Sequence, residues 1–279
     1  MACVIKVLIE NTGSGHGALQ TEHGLSLYVE TPESKFIFDC GASGLAWRNA
    51  KFLNVKLSQI NFAVISHSHY DHAGGFPALM QYAQPKILYT GEDFWHEKFE
   101  LHDNSYTYLG AGFDKSDLAG WGVENITLNN NIIIKLDNYV WLTGNFAQSS
   151  RYDFETIPPE FMIRRGFKDY KPDNFSDEIA LVLREGDGLA VITGCAHPGI
   201  LNIVTAIHER FKLKITSIIG GTHLKHASEE RINKTLSELK AMGLERMALC
   251  HCSGSLVRSK LKDFNAAGCL LSTGDIIEI

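Results

Sequence analysis

The stretch SHSHYDHAGG, residues 66–75, sets His67, His69, Asp71 and His72 directly behind the apolar run INFAVI. In an extended loop, residues two apart project to one side, so His67 and His69 can grip one ion together. Asp71 and His72 are neighbours in the chain and diverge, which suits a second ion beside the first. Gly74 and Gly75 let the chain turn sharply into a following helix. Imidazole and carboxylate donors suit zinc, iron or manganese and argue against calcium. The competing reading is a packed or surface histidine cluster, which fits a lone histidine far better than this spacing.

Other apolar runs end the same way. AVITGCAH, SIIGGTH and MALCHC finish with, or just past, His197, His223 and His251. Strands hold their ends rigidly while loops supply the functional groups, so sites in layered α/β proteins gather at strand ends. Such repeated endings point to a single converging site.

The elements that would position these residues follow the same text. VIKVLIE (4–10), LSLYVE (25–30), KFIFD (35–39), INFAVI (60–65) and KILYT (86–90) read as strands, the second and third as a hairpin. Residues 45–53 and 76–83 have helical spacing. Residues 91–130 and 145–175 are aromatic and glycine- or proline-bearing with weak periodicity, so the spacing predicts an irregular excursion over about 91–175. It is broken by strands at NIIIKL (131–136) and VWLTG (140–144). A regular β-β-α-β-α-β passage closes the chain, its second helix starting with a capping box at Ser228. The expectation is one α/β domain over residues 1–279.

Composition narrows the function. Among 279 residues, 44% are hydrophobic, enough for a large core, and the net charge of −6 supplies no basic field for nucleic acid. No apolar run reaches bilayer length, and the start MACVIKVLIEN reads as a strand rather than a signal segment. The six cysteines form no CxxC pair and are too sparse for a disulfide framework. A cytoplasmic protein with reduced thiols, binding neither nucleic acid nor membrane, is expected.

HxHxDH behind a strand resembles the signature of the metallo-β-lactamase superfamily. EHGLSLYVET (22–31), FDCG (38–41), ISHSHYDHAGG (65–75), DEIALVL (177–183), VITGCAHPGI (191–200), IIGGTHL (218–224) and CHCSG (250–254) look like its subfamily named for dihydropterin–ribofuranosylaminobenzene-phosphate synthase. The resemblance implies an αβ/βα four-layer sandwich with a dinuclear site at the strand ends. It gives His67 and His69 to the first metal and Asp71, His72 and His251 to the second. For the remaining ligand of the first metal, His197 is the choice and His223 the alternative. His223 is otherwise a substrate or proton-transfer residue at the rim, or a structural histidine, and Asp71 would share the catalytic work. Cys195 sits where the superfamily usually places a bridging aspartate, and could bridge as a thiolate or simply pack. Asp39 would support a liganding histidine from behind or make a plain turn. Glu22, His23, Asp177 and Glu178 match the subfamily without an assigned role.

The implied function is a metal-dependent hydrolase or a phosphate-ester or diphosphate-releasing enzyme, working through an activated water or a stabilised leaving group, with a pterin-related synthase as one form of it. Zinc is the expected cofactor, one ion or two, with iron or manganese compatible. The substrate would be a small phosphorylated molecule, and a homodimer is possible through the aromatic 91–175 segment. A diiron redox protein is one alternative, opposed by His69 where such relatives carry glutamate. A ligand-binding protein with a degenerate site is another. GSGHG (13–17) lacks the helix and GK[ST] of a phosphate loop, and reads as a loop over the mouth of the site. In CHC (250–252), Cys250 and Cys252 should point away from His251.

Overall fold

The structure, a computed structural model, describes residues 3–129, 133–146, 150–261 and 267–279. One seven-stranded sheet runs through Ile276–Glu278, Val4–Ile9, Ser26–Glu30, Lys35–Phe38, Phe62–Val64, Ile87–Gly91 and Glu124–Leu128. A second seven-stranded sheet runs through Ala267–Leu270, Arg246–Leu249, Ile215–Gly220, Gly188–Thr193, Ile179–Glu185, Val140–Gly144 and Ile133–Lys135. In both sheets, antiparallel pairing at one side gives way to parallel pairing at the other.

The period-two alternation of these strands sorts their side chains into layers. Phe36, Phe38 and Val64 of the first sheet meet Leu181, Ile192 and Ile219 of the second between the sheets. The intervening Ile37, Ala63 and Leu88 pack outward under the helix Leu45–Phe52 and the segment from Phe76. Val182, Val191 and Ile218 pack outward under the helices Ile200–Phe211 and Glu229–Ala241. Each of those helices is amphipathic; in the second, Ile232, Leu236 and Leu239 recur on one face. The result is the expected α/β sandwich, helices outside and sheets inside.

Two local expectations are corrected. The described part of the 91–175 excursion holds more regular structure than expected. Glu97–His102, Ser105–Tyr108, Phe161–Gly166 and Asp169–Pro172 form a four-stranded antiparallel sheet, and Lys115–Trp121 is a helix leading into Glu124–Leu128. The small sheet is exposed on much of its surface, Ser105–Tyr108 throughout, so no clean alternation marks it in the sequence. The strand expected at 131–136 is present over Ile133–Lys135, and its first two residues lie outside the described residues. Ser228 does cap its helix, accepting from the Arg231 N–H at 3.2 Å, but arginine at the third helical position cannot return the bond of a capping box.

Candidate metal centre

The parallel strands of both sheets end at the same edge of the sandwich, and the residues singled out in the sequence meet there. His67, His69 and His197 bring one ring nitrogen each to within 4.8 Å of one another, as do His67, His72 and the Cys195 sulfur. His72 Nε2 lies 3.1 Å from His251 Nε2 and 3.1 Å from Cys195 Sγ. Asp71 Oδ2 is 3.3 Å from His251 Nε2 and 3.8 Å from His72 Nε2. His223 stands at the wall, its ring centroid 4.4 Å from that of His197.

The orientation of the rings is fixed from behind. His67 Nδ1 meets Ser66 Oγ at 2.9 Å, and Ser66 Oγ donates to Asp39 Oδ2 at 2.8 Å. Asp39 Oδ2 also holds His72 Nδ1 at 2.7 Å. Glu178 Oε2 holds His197 Nδ1 at 2.9 Å, and Asn11 Oδ1 holds His251 Nδ1 at 3.0 Å. With these four Nδ1 atoms engaged by oxygens, the Nε2 lone pairs of His67, His72, His197 and His251 turn inward, the tautomer a metal ligand needs. His67 Nε2 has no hydrogen-bond partner although it is fully buried. An orphaned buried acceptor is costly, and a cation placed among these nitrogens would satisfy it. The donor set therefore fits a divalent transition-type ion.

Electrostatics agree. Burial, helped by neighbouring imidazoles, pushes the basicity of His67 and His197 well down. His69 falls to about 3, chiefly through burial. These rings are neutral near pH 7 and keep their lone pairs. His72 is the exception: burial lowers it, but Asp39 and Asp71 outweigh that and raise it. Asp71 is disfavoured as an anion by burial, yet His72 and His251 hold its carboxyl well below the usual range. Burial lifts Glu178 to about 8 and pushes the Cys195 thiol well up. A bound cation would therefore have to displace the thiol proton.

The backbone is bent to serve this edge. Asp39, Ala196, His223 and His251 all take left-handed conformations, with φ of 59°, 62°, 51° and 55°. Non-glycine residues adopt this region at a cost of about 1 kcal/mol or more each, tolerated where polar contacts over-determine the site. Gly194 has no room for a side chain, because a Cβ there would collide with Ser66 Oγ and approach Asp39 Oδ2 at 2.9 Å.

Several residues escaped the sequence reading. Lys98 Nζ is buried between Asp173 Oδ2 at 2.6 Å and Asp177 Oδ1 at 2.8 Å. The other oxygen of Asp177 accepts from the Ser68 N–H at 2.9 Å and hydroxyl at 3.1 Å, pinning the residue between His67 and His69. Phe175 stacks on His197 at 3.9 Å, and Phe161 stands 5.6 Å from both His69 and His197. Glu10 accepts from the His251 N–H at 3.2 Å; it and Asn11 end the first strand, the same signal that marked the histidines. Of the residues left without a role, His23 Nε2 lies 3.2 Å from Asp71 Oδ2, and Glu22 accepts from the Ala42 and Ser43 N–H groups. One expectation fails: Cys252 does not point away. Strand Arg246–Leu249 ends before His251, and the 3-10 turn His251–Ser253 swings the Cys252 sulfur into the group formed with Cys195 and His251. Cys250 does enter the inter-sheet core. The loop GSGHG bridges to Thr273 and supplies none of the cavity lining.

A cavity of about 370 Å³ opens over this cluster, lined by Asp71, Cys195, His197, His223 and His251 from the sandwich, by Glu100 and Phe161 from the small sheet, and by Glu160 just before it. The sequence model of the metallo-beta-lactamase superfamily matches residues 20–211. The chain belongs to that superfamily. It is 28% identical over 272 residues to 7,8-dihydropterin-6-methyl-4-(beta-D-ribofuranosyl)-aminobenzene-5'-phosphate synthase of Methanocaldococcus jannaschii, covering 90% of this chain and 87% of the relative. Among solved structures, a metal-dependent hydrolase of the beta-lactamase superfamily superposes with a TM-score of 0.83 at 27% identity, covering 99% of both chains. Zn(2+)-bound PqqB from Methylobacterium extorquens, at 9% identity and a TM-score of 0.61, shares the fold. Among the described residues, no helix is long and apolar enough to cross a membrane.

Proposed function

We propose that this superfamily member is a metal-dependent enzyme that acts on a small phosphorylated molecule, either hydrolysing a phosphate ester or releasing diphosphate in a pterin-type condensation. In this reading His67, His69 and His197 hold one divalent ion, and Asp71, His72 and His251 hold a second. Cys195 lies between the two sets. Zinc fits this mixture of imidazole, carboxylate and thiol best. The observation that carries the reading is the buried, unpartnered Nε2 of His67, backed by Ser66 and Asp39, beside His69 and His197, which line an open cavity.

Bound there, such ions would supply Lewis acidity to a substrate oxygen and lower the pKa of water. The chain's own groups do the rest. Phe161 and Phe175 screen His69 and His197 from solvent on one side. Asp71, anionic through its histidine neighbours, is the acceptor nearest the centre. His223, held down at about 4 mainly by burial, stays neutral at the cavity wall and can take or relay a proton from bound substrate.

The likeness to the pterin synthase supports the diphosphate-releasing form of the reading, and the likeness to a metal-dependent hydrolase supports the hydrolytic form. The test is elemental analysis of purified protein, followed by a screen of phosphate esters and pterin-type pyrophosphates with zinc, manganese and iron. Zinc or manganese with phosphate or diphosphate release is the expected result. Iron with oxygen-dependent turnover, or no metal at all, would overturn it.

A further inference from the structure

We propose that Lys225 and Arg231 form a subsite that grips the phosphoryl or diphosphoryl group of the substrate, beside but separate from the metal ligands. The proposal rests on the phosphorylated-substrate reading above and assigns the residues that would recognise that group.

The cavity over the metal ligands carries two cations in its lining, Lys225 and Arg231. A second cavity of about 370 Å³ adjoins it and shares His226, Ala227 and Arg231. Arg231 thus stands at the seam of two connected spaces. Neighbouring basic groups are already neutralised, Lys234 by Glu230 at 2.9 Å and Lys260 by Glu229 at 2.8 Å. Among the described residues, Lys225 and Arg231 have no carboxylate in ion-pair contact. Arg231 Nη1 donates only to the Thr156 carbonyl, at 3.1 Å, and its Nε is buried without a partner. Glu155 is the carboxylate whose field reaches Arg231, but its oxygens accept from the Leu201 N–H at 2.8 Å and the Thr235 hydroxyl at 3.2 Å.

Lys225 is rooted firmly. Its N–H donates to the Cys252 carbonyl at 3.0 Å. Gly254 packs so closely that a Cβ there would stand 2.6 Å from the Lys225 Cα. Lys225 and Arg231 both line the cavity that also holds His23 and His223. A guanidinium offers a planar fork matched to phosphoryl oxygens and an ammonium a mobile point charge, so together they suit a group with several anionic oxygens. The lining also carries Glu100 and Glu160, which repel such a group and bias it towards the cations.

The test uses the full-length zinc-loaded protein with inorganic pyrophosphate as probe and malonate as control, read by calorimetry, with metal content measured on each sample. Wild type should bind pyrophosphate more tightly than malonate. Arg231→Met and Lys225→Met should each weaken pyrophosphate by roughly tenfold or more with metal content unchanged, and Arg231→Lys should recover part of the loss. The salt dependence should be shallower in Lys225→Met. Unchanged affinity in both methionine variants would overturn the subsite while leaving the metal reading intact. Equal binding of malonate would overturn its phosphoryl character. Failure of wild type to bind pyrophosphate at all would sink both the subsite and the phosphorylated-substrate reading. If Arg231→Met loses its metal, Lys225→Met and Arg231→Lys decide the outcome.

Discussion

Replacing Lys98 by methionine removes a cation from between two buried carboxylates, and the structure allows its cost to be worked out. Lys98, Asp173 and Asp177 are each at most 1% exposed in their side chains. Breaking a buried ion pair by deleting one partner typically costs about 3–5 kcal/mol. An independent ceiling comes from protonation, since a stranded aspartate can escape by taking a proton from water. At pH 7 that costs 1.36 kcal/mol per pH unit above its ordinary pKa, or about 4 kcal/mol. Asp173 is the group to yield, because burial already pushes it up even against Lys98, whereas Asp177 keeps its bonds to Ser68. The same ceiling falls to about 1.5 kcal/mol at pH 5. A carboxyl raised in the folded state favours folding below its raised pKa, so the variant should regain stability as pH falls. Urea unfolding of the metal-free protein at pH 5 and pH 7 measures both values, with wild type alongside. The expected loss is about 4 kcal/mol at pH 7 and under about 2 at pH 5, most of it restored by adding Asp173→Asn. A loss below about 1 kcal/mol at pH 7, or one independent of pH, would refute the reasoning.

Other outcomes follow from the same contacts. His69→Ala should lower bound metal and abolish turnover while the far-ultraviolet spectrum is retained; full metal occupancy in that variant would contradict its place among the ligands. Cys195→Ser should cost part of the metal content if the sulfur bridges, and elemental analysis would show unchanged stoichiometry if it merely packs. Asp39→Asn weakens the hold on both His67 and His72, and zinc affinity should drop about 10- to 100-fold in a chelator competition. Glu178, lifted to about 8 by burial, holds a proton near pH 7 that a cation at His197 would expel. Calorimetric metal titrations in buffers of different ionisation enthalpy should therefore show proton release at pH 7, and the metal-free protein should lose stability as pH rises from about 5 to 8. A titration with no buffer dependence would count against that proton.

The site was largely legible because strand ends announce themselves. An apolar strand that breaks off in histidine leaves a polar side chain at a rigid edge, and that cue marks His67, His197, His223 and His251. It also lay unused in VLIEN, where Glu10 and Asn11 end the first strand and support His251 across 240 positions of chain. Contacts at that separation leave no periodic trace. Cys252 was misread because a strand pattern was extended past its end, whereas the left-handed turn at His251 reverses the facing. Lys98 sits in EKFELH, whose buried charge looks like any surface lysine until Asp173 and Asp177 are brought to it. The small sheet escaped because its strands are largely exposed, so hydrophobic alternation, the usual mark of a strand, is weak.

The central claim is that inward-facing Nε2 atoms at the sandwich edge cage a cation. Crystals of the zinc-loaded protein, with diffraction recorded on either side of the zinc absorption edge, test it most directly. The account predicts an anomalous peak about 2.0–2.1 Å from Nε2 of His67 and His197 and from one ring nitrogen of His69. Zinc bound elsewhere, with the His67 nitrogen instead hydrogen-bonded to protein or water, would contradict it.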